Sequence, residues 1–304
     1  MKKYMKNRLL ALFIGLVLLS GCESRKDTIH IATKPMSEQF ILGEMLALLI
    51  EENSDLHVKI TKGVGGGTSN IHPAMVKGDF DLYPEYTGTG WLVILKKDSL
   101  LPPGQLFSEL QKEYSREYGL KWVAPYGFNN AYSLAVSNEM AKKYNLKTFS
   151  DLALYPDLFT FGAEYDFYEI NDGYADLCAY YNLKFKKNLD MDIGLKYEAM
   201  KSGKIDVINI FTTDGQLSHA NLTTLKDDKH FFPSYYCATI VREETLKEHL
   251  ELERILEKMN GILTDQEMAD MNYKVDVEHR TEREVAVEFL KKKGLLNPQL
   301  SYGK

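Results

Sequence analysis

Apolar and polar positions along the chain switch between a period of about two and a period of about 3.6 residues, and the switches mark elements. Residues 30–33 and 56–61 read as short strands. Between them Phe40, Ile41, Met45, Leu48 and Leu49 recur at helical spacing up to Glu52, with Ser37 as the expected N-cap. A second helical pattern covers 70–77 and stops at Gly78. Residues 79–83 alternate as a strand, which Pro84 is expected to end, leaving Glu85–Trp91 as an aromatic, glycine-rich loop. Strand, helix, strand, helix, strand is the rhythm of an open, mainly parallel sheet. An amphipathic helix at 106–118 closes on Gly119, and strands follow at 122–125 and 133–136. A second α/β unit then takes shape: helix 138–144, strand 159–162, helix 173–181 and strand 207–210. Strand 237–241 reads as the return to the first unit, and amphipathic helices at 251–259, 265–275 and 281–292 complete the chain. Two α/β lobes joined by two crossings make a hinged cleft, a geometry that closes on a ligand.

Ligands of open α/β sheets sit beyond the carboxyl ends of the strands. Residues 37–39, 65–69 and 86–89 all follow strands, so they converge on one cleft. The glycine run Gly63, Gly65, Gly66, Gly67 is not a nucleotide loop. Thr68 and Ser69 follow it with no lysine, and neither reading frame of Gly-x-Gly-x-x-Gly finds its third glycine. Composition narrows the picture further. Tyrosine is abundant, 19 against 14 Phe and 2 Trp, which suits a recognition surface that needs an apolar face with a polar tip.

The first residues do not belong to this pattern. Lys2, Lys3, Lys6 and Arg8 precede an apolar run at 9–19 that is too short to span a bilayer, and the run ends at Ser20-Gly21-Cys22. This arrangement predicts a bacterial lipoprotein signal, 1–21, with Cys22 as the lipidated residue and 22–28 as a polar tether. Removing 1–21 takes four of the 37 basic residues and none of the 43 acidic ones, leaving a formal charge of −10. That balance points away from nucleic acid and from anionic lipid. Cys178 and Cys237 then remain, either as a disulfide or as two buried thiols. The seven histidines are scattered and form no metal-ligand spacing.

Several motifs, taken in order, resemble one family. They are Ser37-Glu38-Gln39, the glycine run, the stretch from Gly78-Asp79 through Tyr83-Pro84-Glu85-Tyr86-Thr87-Gly88-Thr89, Gly127-Phe128-Asn129-Asn130-x-Tyr132, Asp206-Val207-Ile208-Asn209 with Thr213-Asp214-Gly215, and Asp227-Asp228-Lys229-His230-Phe231-Phe232-Pro233. Together they are similar to the substrate-binding lipoproteins of osmoprotectant ABC importers, over nearly the whole mature chain. The resemblance implies a two-lobe periplasmic-binding-protein fold of type II character, each lobe a mainly parallel sheet flanked by helices. It divides the chain into a first lobe at 29–132, a second at 133–235 and a return to the first at 236–304. It implies a monomeric, non-enzymatic protein without cofactor or metal, lipid-anchored on the extracytoplasmic face of the cell membrane. Its partners would be an ABC permease with its ATPase and a small quaternary ammonium ligand such as choline, glycine betaine, carnitine or, alternatively, ergothioneine.

The resemblance also assigns a site. An aromatic cage would comprise Tyr86, Tyr132, Phe211 and Tyr235, with Gln39, Thr89 and Asn130 as polar positions. Lys34, Asp214 and Tyr236 are further candidates. Phe211 stands where relatives carry Tyr, and it serves either the cage or the core. Pro233-Ser234-Tyr235-Tyr236 leaves either tyrosine to face the cleft. Asp214 reads as a ligand contact or a helix N-cap, and Glu38 and Glu85 as loop anchors or solvent-facing acids. Ile170 stands where carboxylate-binding relatives often carry Arg, which weighs against glycine betaine and carnitine. An extracytoplasmic enzyme and a sensor domain are the competing classes. The first is opposed by the lack of a nucleophile elbow, a metal cluster or an acid/base pair near the aromatic loops. The second is opposed by lipidation in place of a transmembrane helix.

Overall fold

The alternating and helical patterns resolve into two five-stranded sheets, each with helices on both faces. The computed structural model describes residues 27–97, 101–169, 173–191, 193–299 and 301. Cys22, the 1–21 segment and Ile170 lie outside them. The first sheet contains β1 (Thr28–Ala32), β2 (His57–Thr61), β3 (Leu82–Tyr86), β4 (Leu120–Val123) and β10 (Cys237–Arg242), in the order β2-β1-β3-β10-β4. The second contains β5 (Tyr132–Ser137), β6 (Thr160–Ala163), β7 (Lys187–Asp190), β8 (Val207–Phe211) and β9 (Leu222–Leu225), in the order β7-β6-β8-β5-β9.

In each sheet a single strand runs against the others, β10 in the first and β5 in the second. Both are the strands that the chain enters on crossing from one sheet to the other. Each sheet is buried on both faces, as a mainly parallel sheet must be. Ile29, Ile31, Leu82 and Val241 face one core of the first sheet, and Tyr83, Trp122 and Ile240 face the other. The second sheet divides in the same way, with Phe161 and Val207 on one side and Ile208 and Ile210 on the other.

Two local readings differ from the sequence pattern. Helix Ser37–Asn53 begins one residue earlier than expected: Met36 occupies the N-cap position without a side-chain bond, and the Ser37 hydroxyl donates to Asp276 on helix Asp265–Asp276. Pro84 does not end its strand but sits inside β3, opposite Thr239 of β10. Thr87 N donates to Tyr236 O at 2.9 Å, which fixes the phase of that antiparallel ladder and makes Pro84↔Thr239 a non-hydrogen-bonded pair. The missing N–H therefore faces the β1 side, where pairing has already stopped at Leu82. After β3 the chain turns directly into the short helix Thr87–Thr89 and a wide turn at Gly90–Ile94, in place of the expected open loop.

Candidate functional site

The strand ends converge where the two sheets meet. Tyr86 is the last residue of β3, Tyr132 the first of β5 and Phe211 the last of β8. Tyr132 and Phe211 are cross-strand partners, with ring centroids 4.5 Å apart. Asn130 lies on the outgoing crossing and Tyr235 on the return crossing. The two crossings are stitched together by Asn130 N donating to Tyr235 O at 3.2 Å and Tyr235 N donating to Asn129 Oδ1 at 2.6 Å. Tyr86, Asn130, Tyr132, Phe211 and Tyr235 together line one cavity of about 220 Å³. Tyr132 is backed by Phe167 at 5.2 Å and Phe232 at 5.7 Å, so a second layer of rings fixes the first.

The remaining candidates occupy the surroundings of this cavity. Lys34 is buried and places its ammonium 4.7 Å from the centroid of the Tyr86 ring, but its charge is paired with Glu85. Glu85 also accepts from Thr68 Oγ1 at 2.6 Å and from Tyr86 N at 2.7 Å, so it anchors the loop from inside and does not face solvent. Gln39 is fully buried. Its Oε1 accepts from Lys34 N at 3.4 Å, and its amide nitrogen has no hydrogen-bond partner. Thr89, half-buried at the end of its short helix, is not among the residues lining the cavity, and nor are Gln39, Lys34 and the glycine run. Asp214 caps helix Gly215–His219 by accepting from Gln216 N at 3.0 Å, and it also accepts from the Tyr197 hydroxyl at 2.6 Å. Of the tyrosine pair, Tyr235 borders the cavity, and Tyr236 is engaged in a bridge with Asn129.

Glu38 is the residue that the sequence undervalued. It is buried, and it receives the Tyr86 hydroxyl, Asn130 Nδ2 at 3.1 Å and Asn272 Nδ2 at 3.3 Å. Burial pushes its carboxyl above the usual range, although hydrogen bonds from Tyr86, Thr213, Asn130 and Asn272 oppose the shift. Burial, then the neighbouring Glu38 charge, pushes the Tyr86 phenol well up, so it is a neutral hydroxyl at physiological pH. Asn272 also donates to Thr213 O at 2.8 Å, which joins helix Asp265–Asp276 to the loop after β8. Nothing in the period of helix 265–276 marked Asn272 as different from its neighbours.

A family model for OpuAC, the substrate binding domain of the ABC-type glycine betaine transport system, matches residues 27–292. The chain belongs to this family. It is 44% identical over 292 residues to the ergothioneine transport permease/ergothioneine binding protein EgtU of Helicobacter pylori strain G27, covering 94% of this chain and 52% of that one. It therefore spans about half the length of that relative. It is 36% identical over 301 residues to the carnitine transport binding protein OpuCC of Listeria monocytogenes, covering 95% of this chain and 97% of the other. A crystal structure of a glycine betaine/carnitine/choline ABC transporter is similar with a TM-score of 0.84 at 32% identity, over 88% of this chain and 99% of that one. Unliganded YehZ from Escherichia coli has a TM-score of 0.78 at 24% identity, over 88% of this chain and 99% of that one, a likeness of fold. The family and these relatives are transport binding proteins.

Among the described residues no helix is long and apolar enough to cross a membrane, and no three His, Cys, Asp or Glu side chains gather as a metal site would require. Cys178 and Cys237 are both free thiols. Burial pushes Cys178 up to about 11 and Cys237 well above its ordinary value, so neither is an activated nucleophile.

Proposed function

We propose that this chain captures a quaternary ammonium solute outside the cell and delivers it, chemically unchanged, to an ABC permease and its ATPase. The observation that carries the reading is the meeting of Tyr86, Tyr132, Phe211 and Tyr235, from four separate stretches of chain, around one small cavity. A trimethylammonium group has no N–H to donate, so hydrogen bonds cannot hold it. Ring faces can, at roughly 0.5–2 kcal/mol each. With apolar burial, a few such contacts account for micromolar binding, about −8 kcal/mol.

Choline, glycine betaine and carnitine are the candidate ligands, in line with the family and the carnitine-binding relative, and Ile170 in place of Arg favours choline among them. Ergothioneine is a second reading, favoured by the 44% identity to the ergothioneine-binding relative. Lys34 is a weak partner for a ligand carboxylate, because Glu85 already neutralises it. In isothermal titration, at least one of the four compounds binds, and Tyr86→Ala weakens it by about tenfold or more. Absence of binding by all four, or an unaffected mutant, rejects the cage, and product formation during incubation rejects a pure binding role. We place the protein as a monomer tethered through lipidated Cys22 to the outer face of the membrane. Cys22→Ser is expected to move it from the membrane fraction to the soluble fraction in cell fractionation.

A further inference from the structure

The polar edge of the cage has an unusual hydrogen-bond balance. Glu38, behind the wall, accepts from three donors: the Tyr86 hydroxyl, Asn130 Nδ2 and Asn272 Nδ2. Two of these, Tyr86 and Asn130, belong to residues that line the cavity. Both therefore donate away from the cavity, into Glu38. The contact also fixes which way the Asn130 amide points. Its nitrogen is held at 3.1 Å from Glu38, so its carbonyl is the end left over. That oxygen is buried and has no hydrogen-bond partner in the structure. A buried acceptor without a partner is rare in folded proteins and is explained when a partner arrives from outside.

We infer that Glu38 is a positioning residue that sets ligand specificity: by holding the donor end of Asn130 it leaves that residue's carbonyl as the acceptor without a partner beside the cage, which selects quaternary ammonium compounds carrying an O–H or N–H donor beside the cationic head. The inference rests on the cage reading above and adds a requirement to it. A ligand with such a donor satisfies the Asn130 carbonyl. A ligand without one leaves the carbonyl unpaired inside a closed, dry site, and a missing partner of that kind discriminates more strongly than a missing methyl group.

The test uses three probes by isothermal titration: tetramethylammonium, choline and the O-methyl ether of choline. The wild-type protein is expected to bind choline about tenfold more tightly than its ether. In Glu38→Gln the glutamine amide can donate as well as accept, Asn130 is free to turn, and the ratio is expected to shrink to about threefold or less, each affinity being compared with that of tetramethylammonium in the same variant. Asn130→Ala provides a second route that leaves Glu38 in place, and the ratio should collapse in the same way. Equal binding of choline and its ether to the wild type overturns the inference, as does a ratio that survives in both variants, which would make the difference one of size. If tetramethylammonium binds while the ratio is near one, this inference falls and the cage stands. If none of the three binds, this inference falls, and the cage falls with it when glycine betaine, carnitine and ergothioneine also fail to bind.

Discussion

At the scale of the residue, Glu38 ties the stability of the fold to the proposed recognition site. Its carboxyl is buried and its pKa is raised, with burial the dominant cause. The folded state therefore holds the proton more tightly than the unfolded state does. The contribution of this group to stability is fully present below its unfolded pKa and is lost as pH rises through the higher folded value. A glutamine at 38 has no such dependence. The difference in Tm between wild type and Glu38→Gln should thus shift against the wild type as pH is raised above the ordinary glutamate range, and a difference that stays flat over this range would mean that Glu38 does not titrate there. The phenol and thiol nearby, Tyr86 and Cys237, have raised pKa values and stay neutral through this window.

At the scale of the element, the short helix Thr87–Thr89 is placed so that Gly88 lies directly against Tyr235. A Cβ on Gly88 would stand 2.6 Å from Tyr235 Cε1, closer than carbon atoms approach, and a tight 3.0 Å from Ser234 O. Gly88→Ala must therefore push the Tyr235 ring or the return crossing away. The expected result is a loss of ligand affinity of about tenfold with a change in stability of about 1–3 kcal/mol, read by titration and thermal unfolding. Unchanged affinity would show that Tyr235 is dispensable. These elements also mark what could be read from sequence. β8 and β10 are largely apolar runs and β1 and β2 alternate polar with apolar residues, all between clear punctuation, and Gly119, with a φ of 62°, ends helix Pro103–Tyr118 as expected. β7 and β9 escaped notice because both lie at sheet edges. Lys187-Asn188-Leu189-Asp190 is largely exposed and has no apolar face to produce a period. The cavity lined by Tyr86, Tyr132, Phe211 and Tyr235 lies at strand ends that the pattern could locate. Which aromatic at each end faced inward came from family likeness, and the hydrogen-bond role of Glu38 depends on contacts with residues as distant as Asn272, which no local pattern encodes.

At the scale of the whole molecule, the two lobes touch beside the site as well as at the crossings. Helix Gly215–His219 of the second lobe packs on helix Asp265–Asp276, and His219 stacks on Tyr273 at 3.7 Å. A Cβ on Gly215 would lie 2.7 Å from Tyr273 N, which is backbone and cannot rotate aside. Gly215→Leu should therefore hold the lobes further apart without altering any ring of the cage. The radius of gyration by solution X-ray scattering is expected to rise, and ligand affinity to fall by about tenfold because closure has to work against the added bulk. An unchanged radius and affinity would show that this contact does not govern the angle between the lobes.

The strand order of the first sheet has a consequence for the newly made chain. β10 lies between β3 and β4, although more than a hundred residues separate it from β4 in sequence. As the polypeptide emerges, β3 and β4 have no neighbour to join them until residue 242 is available. By then all five strands of the second sheet have been present for some time. The half that is made first is therefore completed last, and its strand edges are the part of the nascent protein that stays unpaired longest and most exposed to wrong pairing.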